Sequence, residues 1–247
     1  MRFADKVIYI TQAYGKVGEA LAIKFASEGA DLVLGFAESL LIQQVKKLGA
    51  EVLVVTPDLT HYDGVEILIK EIKAVFPRID ILIFNNSKIA KTSIETLDKK
   101  SFKEQLSYNA KAAFIATRYF GKDMRINGGG SIIYISSIHV DKPTASTPLY
   151  SIAQSCINML NKEASLFYGK DSINCNIIEV GALEGDEEVF TSNLIKRYND
   201  FNKYIPRSKA GKPEEVANIA AFLASSDASF INGASIRADG GFILRYK

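Results

Sequence analysis

The feature that most constrains the fold of this chain is a regular alternation of short apolar runs with longer amphipathic stretches. Runs rich in β-branched residues predict seven strands, at residues 7–11, 31–35, 51–56, 80–84, 131–136, 173–178 and 235–238. The amphipathic stretches predict helices at about residues 17–28, 39–48, 61–75, 99–119, 148–168 and 213–225. Most strand runs are apolar on both faces, as in a sheet that helices cover on two sides. Repeated βα units therefore predict an α/β fold, a single doubly wound parallel sheet of the Rossmann type flanked by helices.

Composition narrows the class of protein without naming a function. Hydrophobic residues make up 47% of the 247 residues and charged residues 23%, as in a typical globular domain. A net charge of +2 is too small to predict a nucleic-acid partner. No apolar stretch approaches the roughly 20 residues that span a bilayer, and Asp5 precedes any apolar run, so no secretory signal is predicted. We expect one cytoplasmic domain over residues 1–247, with no membrane partner.

The cysteines and histidines do not predict a metal site. Cys156 and Cys175 lie in apolar patterns without ligand spacing, so we expect reduced core residues rather than a disulfide. His61 and His139 lie in polar loops without a partner pattern, and we expect both to be solvated.

Two further features point to a functional site. Tyr150 and Gln154 are four residues apart in a predicted helix, so their side chains lie one above the other on the same face. Residues 181–207 form the one long irregular insertion, which is typical of a substrate lid. Its mixture of acidic and aromatic residues suggests a partly apolar pocket for a small molecule.

The last long segment of the chain is residues 205–241. It begins with I-P-R-S-K-A-G-K-P-E-E-V-A and ends with A-S-I-R-A-D-G-G. This tail resembles that of the short-chain dehydrogenase/reductases, and the resemblance extends over essentially the whole chain. It is similar to bacterial 3-oxoacyl-carrier-protein reductases and to related sugar or steroid dehydrogenases. The resemblance implies an oxidoreductase that acts on a carbonyl or alcohol with NAD(P)(H). It also implies a homotetramer, because in the family this tail helps to build the subunit interfaces.

The resemblance implies a catalytic set of Asn, Ser, Tyr and Lys. Asn109, Ser137 and Tyr150 match the first three, whereas Gln154 stands where the lysine is expected. In the family, the lysine's charge lowers the pKa of the phenol and its ammonium binds the nicotinamide ribose. Glutamine can donate a hydrogen bond but supplies no charge, so we expect a loss on the order of 10²–10⁴ in rate. Reduction suffers less than oxidation, because a neutral phenol can still donate its proton.

The phosphate-binding loop departs from the family pattern as well. The pattern T-G-x-x-x-G-x-G falls on residues 11–18, where Thr11 and Gly18 match and Gly15 is an additional glycine. Gln12 and Lys16 replace the other two motif glycines, which let the backbone approach a pyrophosphate at the helix N-terminus. Lys16 either blocks that approach or contacts a phosphate itself.

The other cofactor-binding positions that the resemblance implies are Asp58, Asn85 and Gly181. Lys88 replaces a further family glycine, at the end of N-N-S-K. Residues 35–37, where an acidic residue would select NAD and an arginine NADP, read Gly-Phe-Ala and predict no preference.

Two alternatives stay open. One is a cofactor-free enzyme, as in the related halohydrin dehalogenases, although their arginine and loop-closing aromatic residue are not matched by Gln154 and Lys16. The other is a non-catalytic binding subunit that forms a hetero-oligomer with an active paralogue. Ser137 and Tyr150 would then hold the fold by ordinary hydrogen bonds, Asn109 would stabilise a helix kink and Asp58 would cap a helix.

Overall fold

A seven-stranded parallel sheet forms the centre of the molecule in the computed structural model, which describes residues 1–184 and 201–245. The strands are β1 (Val7–Ile10), β2 (Asp31–Gly35), β3 (Val52–Val55), β4 (Ile81–Phe84), β5 (Gly130–Ser137), β6 (Ile173–Val180) and β7 (Ser235–Ala238). Their order is 3-2-1-4-5-6-7, which confirms the predicted doubly wound sheet.

Helices connect the strands and cover both faces of the sheet. They are α1 (Gly15–Ser27), α2 (Ser39–Lys47), α3 (Tyr62–Lys73), α4 (Lys99–Leu106), α5 (Ala112–Ile126), α6 (Pro148–Tyr168) and α7 (Pro213–Leu223). Every residue of β1 and β4 is buried, since each of these central strands packs against helices on both sides. Among the described residues, no helix is both long enough and apolar enough to cross a bilayer.

Three sequence-based expectations need correction or restriction. The helix predicted at 99–119 is interrupted, because a π-helical turn at Ser107–Lys111 separates α4 from α5. Cys175 is a buried free thiol as predicted, but Cys156 is exposed, because it lies on the outer face of α6. The central part of the predicted 181–207 lid, residues 185–200, lies outside the described residues.

The topology fixes where a ligand would bind. The strand order reverses between β1 and β4, and the adjacent loops leave in opposite directions there. This switch point opens a crevice outside the carboxyl ends of the strands, which is the usual ligand site of such sheets.

Candidate active site

The loops after β1 and β4 are joined by a network of buried side chains. Thr11 Oγ1 donates to Asn86 Oδ1 at 2.6 Å and accepts a hydrogen bond from the Asn85 backbone N–H at 3.0 Å. Asn85 Nδ2 donates to the carbonyl oxygen of Gln12 at 2.7 Å. The two loops that border the crevice are therefore held at a fixed separation.

The side chain of Gln12 spans the crevice. Its Oε1 accepts from the backbone N–H of Ser87 at 3.4 Å and from the Tyr108 hydroxyl at 3.3 Å. Burial, followed by the proximity of Tyr14 and a hydrogen bond with it, raises the pKa of Tyr108 to about 12. Tyr108 is therefore a protonated donor at neutral pH, and Gln12 links three separate segments of the chain.

Asn109 lies in the π-helical turn and shapes the backbone around it. Its amide Nδ2 donates to the carbonyl oxygens of Gln105 at 2.9 Å and Lys88 at 3.1 Å, while its Oδ1 accepts from the Lys88 N–H at 3.0 Å. The predicted kink-stabilising role is consistent with these contacts, and π-turns of this kind are frequent at functional sites. The Lys88 ammonium lies 5.9 Å from the centre of the Tyr108 ring.

Ser137 and Tyr150 both contact His139. Ser137 Oγ lies 2.9 Å from His139 Nδ1 and also accepts from the backbone N–H of His139 at 3.3 Å. The rings of His139 and Tyr150 meet edge to face, with centroids 5.5 Å apart. His139 is 5% exposed, so the expectation that it is solvated is wrong. Burial lowers the pKa of His139, which keeps the imidazole neutral at pH 7.

Gln154 is completely buried beneath Tyr150 in α6. Its Oε1 accepts a hydrogen bond of 2.7 Å from Ser136 Oγ, at the end of β5. Its Nε2 has no acceptor among the residues that the structure describes. A buried donor without a partner is uncommon in folded proteins, and a ligand acceptor or a water molecule would satisfy it.

The remaining phosphate-loop residues lie at the start of α1. Gly15 is the first helical residue and has a φ of +75°, a conformation that favours glycine. Lys16 is exposed, and its Nζ donates to the carbonyl oxygen of Glu184 at 3.0 Å, across the outer rim of the crevice.

Among the residues that the structure describes, no contact joins the predicted cofactor residues Asp58 and Gly181 to this network. Asp58 is exposed in the turn before α3 and accepts hydrogen bonds from the Thr60 N–H at 2.9 Å and hydroxyl at 2.6 Å. His61 Nδ1 lies 2.8 Å from the same carboxyl group. Gly181 is buried directly after β6, where a Cβ would lie 2.7 Å from Asp239 Cα.

Sequence reasoning did not identify Ser87, Tyr108 or His139 as site residues. Ser87 Oγ lies 3.5 Å from the Tyr150 hydroxyl, at the limit of a hydrogen bond. Two signals were available: His139 is two residues from Ser137, and Tyr108 precedes Asn109. Neither signal separates a site residue from a solvated one without the tertiary contacts.

The glycines around the crevice and the Gln154 amide fit a nicotinamide dinucleotide, the cofactor implied by the fold, whereas the Gln12 side chain does not. A Cβ on Gly18 would lie 2.5 Å from the carbonyl oxygen of Gln12, and one on Gly35 would lie 2.1 Å from that of Thr11. The close approach at Gly18 is the helix packing that the third glycine of a dinucleotide-binding turn allows. The unpartnered Nε2 of Gln154 offers a donor for a ligand hydroxyl. The Gln12 side chain does not fit, because it bridges the loops after β1 and β4 that border the crevice.

Comparisons with a family model and with known proteins agree on one family of oxidoreductases. Residues 15–243 match the family model described as enoyl-(acyl carrier protein) reductase. The chain is 29% identical to a 2-dehydro-3-deoxy-D-gluconate 5-dehydrogenase of Pseudoalteromonas atlantica, covering 97% of this chain and 96% of the relative. It is also 29% identical to an NAD-dependent glycerol dehydrogenase of Listeria innocua, covering 98% and 95% of the two chains.

Solved structures agree with the sequence relatives. A short-chain dehydrogenase/reductase from Burkholderia xenovorans superposes with a TM-score of 0.91 at 27% identity, over 100% of this chain and 99% of that one. One from Serratia marcescens gives a TM-score of 0.88 at 25% identity, over 98% and 99% of the two chains. The chain belongs to the short-chain dehydrogenase/reductase family of oxidoreductases.

Proposed function

We propose that this protein is a carbonyl/alcohol oxidoreductase that uses NAD(P)(H) and works better as a reductase than as a dehydrogenase. The observation that carries the proposal is the convergence of Ser137 and Tyr150 on His139, at the crevice edge of the sheet. Family membership supports the reaction type, and the replacement of the family lysine by Gln154 supports the preferred direction.

The proposed roles follow from the chemistry of the side chains. The Ser137 hydroxyl hydrogen-bonds the carbonyl oxygen of the substrate, and the Tyr150 hydroxyl donates the proton that this oxygen acquires. The bound nicotinamide supplies the hydride. Ser87 is exposed and its Oγ lies 3.5 Å from the Tyr150 hydroxyl, so it offers a route by which solvent returns the proton.

Gln154 gives this site its directional bias. Reduction needs a phenol that gives up a proton, whereas oxidation needs a phenolate that takes one. An unperturbed phenol has a pKa of about 10, so the phenolate is rare near pH 7 without a neighbouring cation. Gln154 supplies no charge to the phenol, and its Nε2 remains free among the described residues to donate to the nicotinamide ribose.

The proposed substrates are small polyhydroxylated carbonyl compounds. The two relatives described above are named for a deoxysugar acid and for glycerol, both small hydroxylated molecules. Asp58, Asn85 and Gly181 are the proposed contacts for the cofactor's adenosine and nicotinamide ends. The proposed assembly is a homotetramer in the cytoplasm, where the free thiols Cys156 and Cys175 stay reduced.

The test measures oxidation of NADH and NADPH by the purified chain, with ketoses, sugar-acid ketones and dihydroxyacetone as substrates. We expect slow turnover that requires both a carbonyl substrate and Tyr150. Calorimetric titration with each nucleotide runs in parallel. Failure to turn over any carbonyl or alcohol substrate, together with no nucleotide binding at millimolar concentration, would contradict the proposal.

A further inference from the structure

The crevice at the switch point contains a side chain where the fold normally leaves open space. In sheets of this topology the ligand crosses between the strand ends at the point of reversal, and small residues there let its pyrophosphate approach the backbone. In this chain the point of reversal lies between β1 and β4, and Gln12 follows β1 by two residues. Its side chain reaches the loop after β4.

The contacts of Gln12 show that this side chain is held in place. Oε1 accepts hydrogen bonds from the Ser87 N–H and the Tyr108 hydroxyl, and the residue is only 8% exposed. The Gln12 amide therefore occupies the Ser87 N–H, a backbone donor in the loop after β4 that an incoming ligand could otherwise use. Both hydrogen bonds are long, at 3.4 and 3.3 Å, so a ligand that offers better acceptors can replace them.

We infer that Gln12 is a latch that closes the dinucleotide crevice in the free protein, and that its displacement weakens nucleotide affinity. This inference rests on the proposed function, because it concerns the same cofactor site. Nucleotide binding must break the contacts of Gln12 with Ser87 and Tyr108 before the pyrophosphate can reach the loop after β1. Removing the latch therefore makes binding tighter, whereas loss of a true cofactor ligand would make it weaker.

The decisive variant is Gln12→Ala, measured by isothermal titration calorimetry with NADH and NADPH. Gln12 does not have a positive φ, so alanine can adopt its backbone conformation. We expect the Kd to fall about tenfold, equivalent to about 1.4 kcal/mol. Tyr108→Phe removes one of the two donors and should give a smaller gain in affinity. It also keeps the inference testable if Gln12→Ala does not fold.

Two matched controls separate the latch from general effects of substitution. Gln44→Ala truncates an exposed glutamine on α2. Tyr119→Phe removes an exposed hydroxyl on α5 that donates to Glu66 at 2.6 Å. Neither control should change the Kd, and thermal unfolding of all four variants verifies that each is folded.

The outcomes distinguish this inference from the proposed function. Equal or weaker nucleotide binding by Gln12→Ala, with clear binding by the unmodified chain, overturns the latch and leaves the proposed function standing. Binding by Gln12→Ala alone supports the latch and counts against nucleotide use by the unmodified chain. An absence of binding by every variant overturns both.

Discussion

Ser136 Oγ donates a hydrogen bond of 2.7 Å to Gln154 Oε1, and both residues are buried between β5 and α6. The amide at position 154 is therefore fitted to its site by a specific partner, rather than left loose where a lysine is expected. This pairing explains how a neutral side chain is accommodated beneath Tyr150. It also determines what a charged replacement would encounter.

Replacement of Gln154 by lysine should increase reductase activity and lower stability. An ammonium below Tyr150 stabilises the phenolate, and acid–base tuning of this kind typically contributes about 10²–10⁴ in rate. Since the site is completely buried, desolvation of the new charge offsets part of this gain, and we expect an increase of about tenfold in kcat. Steady-state kinetics in both directions measure the effect, with the oxidation rate rising more than the reduction rate. Gln154→Met is the neutral control, and an equal gain in that variant would refute the electrostatic explanation.

Tyr150→Phe and Ser137→Ala should abolish turnover while nucleotide binding is retained. In the proposed reaction the phenol supplies the proton and the serine holds the substrate oxygen, and neither side chain is a proposed contact for the nucleotide. We expect kcat to fall by at least about 10² in each variant, with a nucleotide Kd within about twofold of the parent. Steady-state rates and calorimetry provide the two readouts. Full activity in Tyr150→Phe would exclude the tyrosine as the proton donor.

His139 should act as a positioning residue for Ser137. Its neutral imidazole contacts Ser137 Oγ through Nδ1, so the tautomer determines whether the serine proton is available to the substrate. His139→Phe keeps a ring beside Tyr150 but loses this contact, and we expect kcat to fall about tenfold with little change in KM. His139→Asn, which retains a polar group near Ser137, should recover part of the rate. A change confined to thermal stability, with kcat unaffected, would reduce His139 to a packing role.

Gly35 should be intolerant of even one additional methyl group. A Cβ there would lie 2.1 Å from the carbonyl oxygen of Thr11, and this atom belongs to the backbone of a central strand end. Gly35→Ala is expected to lower the free energy of unfolding by at least about 2 kcal/mol. Gly49→Ala is the control, because a Cβ at Gly49 would meet open space and only the φ of +96° is unfavourable for alanine. We expect this backbone strain to lower the free energy of unfolding by about 1 kcal/mol. Chemical denaturation of both variants tests this order, and a smaller loss for Gly35→Ala than for Gly49→Ala would show that the Gly35 contact relaxes freely.

The two cysteines should differ sharply in reactivity. Cys156 is exposed, whereas burial raises the pKa of Cys175 to about 12. At pH 8 a thiol reagent should modify Cys156 in the folded protein, and Cys175 only after unfolding. The pKa of Cys175 is therefore higher in the folded protein than the value of 9.0 expected in the unfolded chain. The contribution of this thiol to the free energy of unfolding is fully present below pH 9 and is lost as the pH rises toward 12. Denaturation between pH 8 and 11 should therefore show a shallower decline for Cys175→Ala than for the parent, and identical slopes would contradict the assignment.

The sequence by itself determined the architecture of this protein. Strand runs such as V-I-Y-I and I-L-I-F are apolar on both faces because helices cover the sheet on both sides. Each run shows this pattern by itself, without knowledge of the rest of the fold. The positions of Ser137, Tyr150 and Gln154 also followed from local spacing and from the resemblance. Their predicted roles remain proposals.

Only the tertiary structure decided which side chains meet across the crevice. His139 looked like a solvated loop residue, yet packing against α6 buries it beside Ser137 and Tyr150. Gln12 and Tyr108 are 96 residues apart in the chain and come together because two strand ends and a π-turn converge at one edge of the sheet. Local sequence patterns report which face of an element is buried, because burial follows periodicity. They do not report which partner lies across a gap, because that depends on how distant segments fold onto the same edge.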